Sequence, residues 1–251
     1  MKVAAIQHDI VWADATATRA LVTPMIAQAA EAGARLIVLS EMFATGFTMR
    51  PDRLAEDEGG PNEQFLLARA AEHEAVVIAS IAQRGADGRF RNNAVVAWPD
   101  GTVERYAKIH PFSYAGEHER YAAGDKPLTV DVFGLRTSVF VCYDLRFADE
   151  FWPLAPHTDL YVVPANWPTP REAHWSALLR ARAIENQAYV VGVNRVGPAG
   201  DTPHTGASAI LDPMGRALAE GGDQPSVLLA EVSADTVRDV RARFPFIADR
   251  R

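Results

Sequence analysis

Arg35-Leu36-Ile37-Val38-Leu39-Ser40-Glu41 is the stretch on which the reading of this 251-residue chain turns. A short, continuous apolar run is the pattern of a strand buried on both faces, as in a parallel sheet covered by helices, and here it stops abruptly on a carboxylate. Before it, Val3 to Gln7 form a short apolar run, and residues 14–33 are alanine-rich with apolar positions at helical spacing and a terminal glycine. The order is strand, helix, strand. Pro24 falls inside the helical pattern and is expected to kink that helix or shift its start.

Working downstream, the pattern predicts a helix over 62–74 and a strand over 75–84. A hairpin of 93–98 and 102–109 follows around Pro99-Asp100-Gly101, with Lys108 near its end. A second hairpin, 128–133 and 135–141 about Gly134, delivers Cys142 at the end of a strand. Helices are then expected over 146–154 and 171–187, with strands over 159–164 and 189–195. A hairpin of 207–211 and 216–219 about Asp212-Pro213-Met214-Gly215, a strand over 226–232 and a helix over 235–243 complete the chain. The two halves share a rough order of strands, helices and hairpins, which implies an α/β architecture of two packed sheets with helices on their outer faces. No linker, charge block or repeat divides the chain, so a single domain over 1–251 is expected.

Composition narrows the function classes. With 48% hydrophobic and 23% charged residues the chain reads as an ordinary globular protein, and a net charge of -7 repels nucleic acid and anionic lipid. The amino-terminal apolar run is too short for a signal-peptide core, and no stretch of ~18 apolar residues runs uncharged, so neither export nor a membrane span is expected. One cysteine, Cys142, permits no intramolecular disulfide and no multi-cysteine zinc site, in keeping with a reducing, cytoplasmic setting. No H-E-x-x-H, EF-hand, P-loop or G-x-G-x-x-G motif occurs; no metal and no cofactor is expected.

Three residues stand at strand ends. A lone cysteine is by default a small buried hydrophobe, but Val139-Phe140-Val141 drives a strand to Cys142, and Tyr143-Asp144-Leu145-Arg146 turns away from it. A strand-to-helix turn exposes a nucleophile, and the helix amino end is expected to lower its pKa. Glu41 is either a solvated strand end or a base for that thiol. Lys108 is either a solvated edge lysine or a fixed cation for an oxyanion, and a carboxylate in Glu117-His118-Glu119-Arg120 would hold it charged. The seven histidines offer a papain-like partner only weakly, since nothing of that local signature surrounds Cys142. Trp167 stands out among the aromatics because Asn166-Trp167-Pro168 follows directly on a buried strand.

Glu41, Lys108 and Cys142, in that order, resemble the Glu-Lys-Cys triad of the nitrilase, or carbon-nitrogen hydrolase, superfamily. The likeness extends through Glu41-Met42-Phe43-Ala44-Thr45-Gly46-Phe47, Lys108-Ile109-His110-Pro111-Phe112 and Val141-Cys142-Tyr143-Asp144-Leu145-Arg146-Phe147. Arg180 to Gln187 and Gly206 to Gly215 continue it over nearly the whole chain. Pro111 departs from it, since relatives usually carry leucine after the histidine. Cys-Tyr-Asp-Leu-Arg-Phe and Asn-Trp-Pro are most similar to the ω-amidase branch. The resemblance implies a four-layer α-β-β-α sandwich, a homodimer or higher oligomer, and a second active-site glutamate, carried over to Glu117 rather than Glu119 by its spacing from Gly124. It implies a small-molecule amide substrate, a Cys142 thioester, and an oxyanion held by Lys108 and the Tyr143 backbone N–H. Nitriles, N-carbamoyl compounds and a non-catalytic thiol-sensing role remain alternatives on the same residues. Arg146, in the first turn after the nucleophile, is expected to draw a substrate carboxylate, because guanidinium pairs bidentately with it.

Overall fold

The computed structural model describes residues 1–250. One sheet runs in the order Ser226–Glu231, Lys2–Gln7, Ala34–Val38, Val76–Arg84, Phe90–Ala97 and Val103–Ala107, with the two-residue strand Glu56–Asp57 alongside Val76–Arg84. The other runs Ala217–Glu220, Ala209–Leu211, Tyr189–Asn194, Leu160–Ala165, Leu135–Val139 and Leu128–Val132. Each sheet has three parallel strands at its centre and antiparallel neighbours outside them, apart from Glu56–Asp57, which pairs parallel with Val76–Arg84.

The period-2 alternation of side chains explains why the central strands are apolar throughout. In the first sheet Val3, Ala5, Leu36, Val38, Val76 and Ile78 enter the core shared with Val139, Val162 and Val191 of the second sheet. Their sequence neighbours Ala4, Ile6, Ile37, Val77 and Ala79 face the other way. There they meet Val22, Ile26 and Ala29 of the helix Ala15–Glu31 and Leu66 and Ala70 of the helix Pro61–His73. The second sheet carries the helix Glu172–Asn186, whose Trp175, Leu179 and Ala183 are buried on it. A Cβ on Gly192 would lie 2.5 Å from Leu179 and 2.9 Å from Trp175, so glycine sets how closely that helix seats. The layers are therefore helix, sheet, sheet, helix, the α/β sandwich expected from the sequence.

Two expectations are corrected and one hairpin is added. The helix Ala15–Glu31 runs unbroken through Pro24, starting behind an Asp14 cap. Pro24 and Ala20, whose carbonyl loses its usual donor, are both exposed, so water can take the bond. The helix expected over 146–154 is one α turn, Ala148–Phe151, between the 3₁₀ segments Cys142–Arg146 and Trp152–His157, because Pro153 and Pro156 interrupt it. An additional hairpin, Val196–Ala199 with Thr202–Thr205, was hidden by Gly197, Pro198 and Pro203, which break strand periodicity. Among the described residues no helix is long and apolar enough to cross a membrane.

Candidate active site

The carboxyl ends of the parallel strands from both sheets converge, the usual place for a site in such sheets. After Ala34–Val38 the chain reaches Glu41, whose N–H donates to Ala165 O at 3.3 Å at the end of a strand in the other sheet. Asn166 returns the link, its backbone N–H donating to Glu41 Oε2 at 2.9 Å and its Nδ2 to Glu41 O at 2.6 Å. Glu41 is thus held by both sheets and sealed from solvent.

Lys108 follows the strand Val103–Ala107 and is 2% exposed. Its Nζ donates to Glu41 Oε1 and to Glu117 Oε2, each at 2.8 Å. Glu117, also fully buried, accepts from the Phe112 N–H at 2.5 Å, whereas Glu119 is exposed. The segment carrying Glu117 lies close because Gly124 packs against Ala107: a Cβ there would fall 2.2 Å from Ala107 O. Burial opposes the ammonium, but Glu117 and Glu41 outweigh it and hold the Lys108 pKa well above its ordinary value. An ammonium has three N–H bonds, and these two carboxylates take two, leaving one for a ligand in the cavity that Lys108 borders.

A fourth residue, missed by sequence reasoning, completes the cluster. Asn92 Nδ2 donates to Glu41 Oε1 at 2.7 Å and to Glu117 Oε1 at 2.9 Å. Its Oδ1 accepts from Ser80 Oγ at 2.5 Å, and Ser80 Oγ accepts from the Met42 N–H at 3.1 Å, which fixes the amide's orientation. Arg91-Asn92-Asn93 reads as ordinary strand polarity, and only the pairing with Val76–Arg84 shows where Asn92 points.

Cys142 has φ +46°, a left-handed conformation costly for a non-glycine residue and common where a nucleophile is presented. The turn is a five-residue 3₁₀ segment rather than the start of a helix. This corrects the expected lowering of the thiol pKa. Burial, then the charge of Glu41, hold it well above the ordinary value, against the opposing pull of Lys108 and the Asn166 N–H. The resting group is a thiol beside a carboxylate. Asp144 anchors the turn, Oδ2 accepting from the Val141 N–H and Tyr106 Oη and Oδ1 from the His110 N–H, each at 2.9 Å. Burial pushes the Asp144 carboxyl up to about 6, although Lys108 and those three donors favour its ionised form.

Cys142 and Lys108 open into a cavity of about 410 Å³, which Tyr143, Arg146 and Trp167 also line. The Arg146 guanidinium lies 4.8 Å over the Trp167 ring and donates to His174 Nδ1 at 3.2 Å. Tyr143 packs on Phe112 with ring centroids 4.8 Å apart. Among the described residues no group of histidine, cysteine and carboxylate side chains is arranged to hold a metal ion.

A cysteine thiol, a buried carboxylate and a buried ammonium meet at the joined ends of two sheets, and the chain belongs to the carbon-nitrogen hydrolase family, whose model matches residues 2–242. It is 40% identical over 253 residues to the omega-amidase YafV of Yersinia enterocolitica, covering 99% of this chain and 96% of that one. It is 33% identical to the 2-oxoglutaramate amidase of Bacillus subtilis, covering 86% and 85%. The crystal structure of XC1258 from Xanthomonas campestris, a carbon-nitrogen hydrolase with an arsenic adduct in its active site, superimposes with a TM-score of 0.95 at 34% identity, covering 100% and 97%. This chain is an amidohydrolase.

Proposed function

We propose that the enzyme hydrolyses the terminal amide of small carboxylic acid monoamides, of the 2-oxoglutaramate or 2-oxosuccinamate type, to the acid and ammonia. The observation that carries this reading is the buried Glu41–Lys108–Glu117 cluster beside the Cys142 thiol, of which Lys108 and Cys142 border a cavity that Arg146 also lines.

Glu41 takes the thiol proton as sulfur attacks the amide carbon, so no free thiolate need accumulate in the buried site. The carbonyl electrons move to oxygen, and the third Lys108 N–H with the Tyr143 backbone N–H stabilises that oxyanion. Collapse breaks the C–N bond, and Glu41 gives its proton to departing ammonia. A Cys142 thioester remains. Glu41 then takes a proton from water as its oxygen attacks, and the second collapse releases the acid and returns the proton to sulfur. One carboxylate acts as base, acid and base again, which suits a group held on both oxygens. Glu117 accepts from Lys108 and keeps that ammonium charged; Asn92 bridges the two carboxylates.

Arg146 is assigned to the substrate carboxylate. Ranking kcat/KM for 2-oxoglutaramate, simple nitriles and N-carbamoyl amino acids tests the reading. The monoamide is expected to lead; a nitrile or carbamoyl compound in first place would reassign the substrate, and no turnover of any would contradict catalysis.

A further inference from the structure

The cavity wall holds a second guanidinium that the sequence reading placed only at a helix start. Arg171 ends the 3₁₀ turn Thr169–Arg171, is half-buried, and lies 5.5 Å over the Phe112 ring. Its carbonyl accepts from Trp167 Nε1 at 2.7 Å, and the Trp167 ring is the one that carries Arg146. Phe112, under Arg171, packs on Tyr143, the residue after the nucleophile. Both arginines therefore stand on aromatic rings that line the same cavity.

Charge sets this wall apart. Among the described residues neither guanidinium lies within ion-pair distance of a carboxylate. No aspartate or glutamate borders the cavity, although the chain carries a net charge of -7. Glu172, next in sequence to Arg171, is engaged by the Thr205 hydroxyl instead. Arginine stacked on an aromatic face keeps its N–H edge free and loses less side-chain freedom on binding than a solvated one. Two such groups with no carboxylate within ion-pair distance form a preformed site for an anion.

We infer that Arg171 and Arg146 form a two-guanidinium clamp for the free carboxylate of the substrate, making Arg171 a specificity-determining residue. The inference rests on the amidase reading above and extends it: the enzyme takes anionic monoamides in preference to uncharged amides of equal length.

Glutaramate and pentanamide, which differ in carboxylate against methyl, test this through the ratio of their kcat/KM values. In Arg171→Ala that ratio is expected to fall roughly tenfold or more, chiefly through KM for glutaramate, with Arg171→Lys retaining part of it. An unchanged ratio would overturn the clamp. Calorimetric binding of glutarate to Cys142→Ala, with and without Arg171→Ala, decides the same point without turnover: weaker binding in the double variant supports the clamp, and equal binding overturns it. A wild type that turns over no monoamide contradicts the amidase reading alone, and the glutarate result still decides the role of Arg171.

Discussion

Asn92 Nδ2 donates to Glu41 Oε1 at 2.7 Å, a bond made inside a fully buried cluster by a residue whose own carbonyl is fixed by Ser80. The second Nδ2 proton goes to Glu117, so a single amide sets the spacing of two carboxylates that would otherwise repel. Asn92→Ala should lower kcat roughly a hundredfold with a smaller change in KM, because the base drifts from the line of proton transfer. It should also cost about 1–3 kcal/mol in urea denaturation, since buried partners are left unpaired. An unchanged kcat would mean that Lys108 and Asn166 alone position Glu41.

Glu117→Gln removes the charge that does most to raise the Lys108 pKa while leaving its burial in place. The lysine pKa must then fall. The alkaline limb of kcat/KM, where the ammonium is lost, is expected to move to lower pH, with kcat reduced at the optimum. A limb that stays where it is in the wild type would show that Glu41 suffices to hold the cation.

The thiol predicts a shift in the same direction for Glu41→Gln. Glu41 is the second cause, after burial, of the raised Cys142 pKa, so removing its charge lowers that pKa. The midpoint of iodoacetamide alkylation against pH should shift downward in Glu41→Gln even as amide turnover is lost. A variant that alkylates at lower pH yet hydrolyses nothing separates the base from mere activation of the nucleophile. Near-normal amidase activity would place the base elsewhere.

Asp144 gives a stability signature. Its folded pKa of about 6 lies above the unfolded value near 3.8, so the folded chain binds more protons between roughly pH 4 and 6. Stability from this carboxyl is present below pH 4 and declines as pH rises through 6, by about 3 kcal/mol. Comparing urea midpoints across pH 4 to 7 should show that Asp144→Asn lacks this decline, although it starts lower because its amide nitrogen cannot accept from the buried donors that face Asp144. Parallel pH profiles in the two proteins would remove Asp144 as the source.

How far the site could be read in advance depended on chemistry and position together. Glu41 and Cys142 were legible because each follows an apolar strand with a reactive group, a local signal, whereas Lys108 follows the charged strand Val103–Ala107 and stood out through the family segment it begins. Asn92 was not, since an asparagine in a strand carries no sign of which face or neighbour it meets. Arg171 sat in a stretch read only for helical spacing, and its importance lies in what is absent around it, a three-dimensional property. The fold followed from the same buried strands. The hairpin Val196–Ala199 and Thr202–Thr205 escaped because its strands contain two prolines and a left-handed Gly197 that local pattern treats as loop. The thiol pKa was misjudged for a physical reason: the helix dipole was weighed, but the burial that outweighs it is invisible until the sheets close over the residue.

In the proposed mechanism Cys142 carries the acyl group. Brief mixing with 2-oxoglutaramate, an acid quench and intact-mass analysis tests it, with ammonia release followed in parallel. The wild type should gain the mass of substrate less ammonia, localised to the peptide holding Cys142, and Cys142→Ala should show neither adduct nor ammonia. Ammonia released by Cys142→Ala at the wild-type rate, or an adduct on any other residue, would contradict the account.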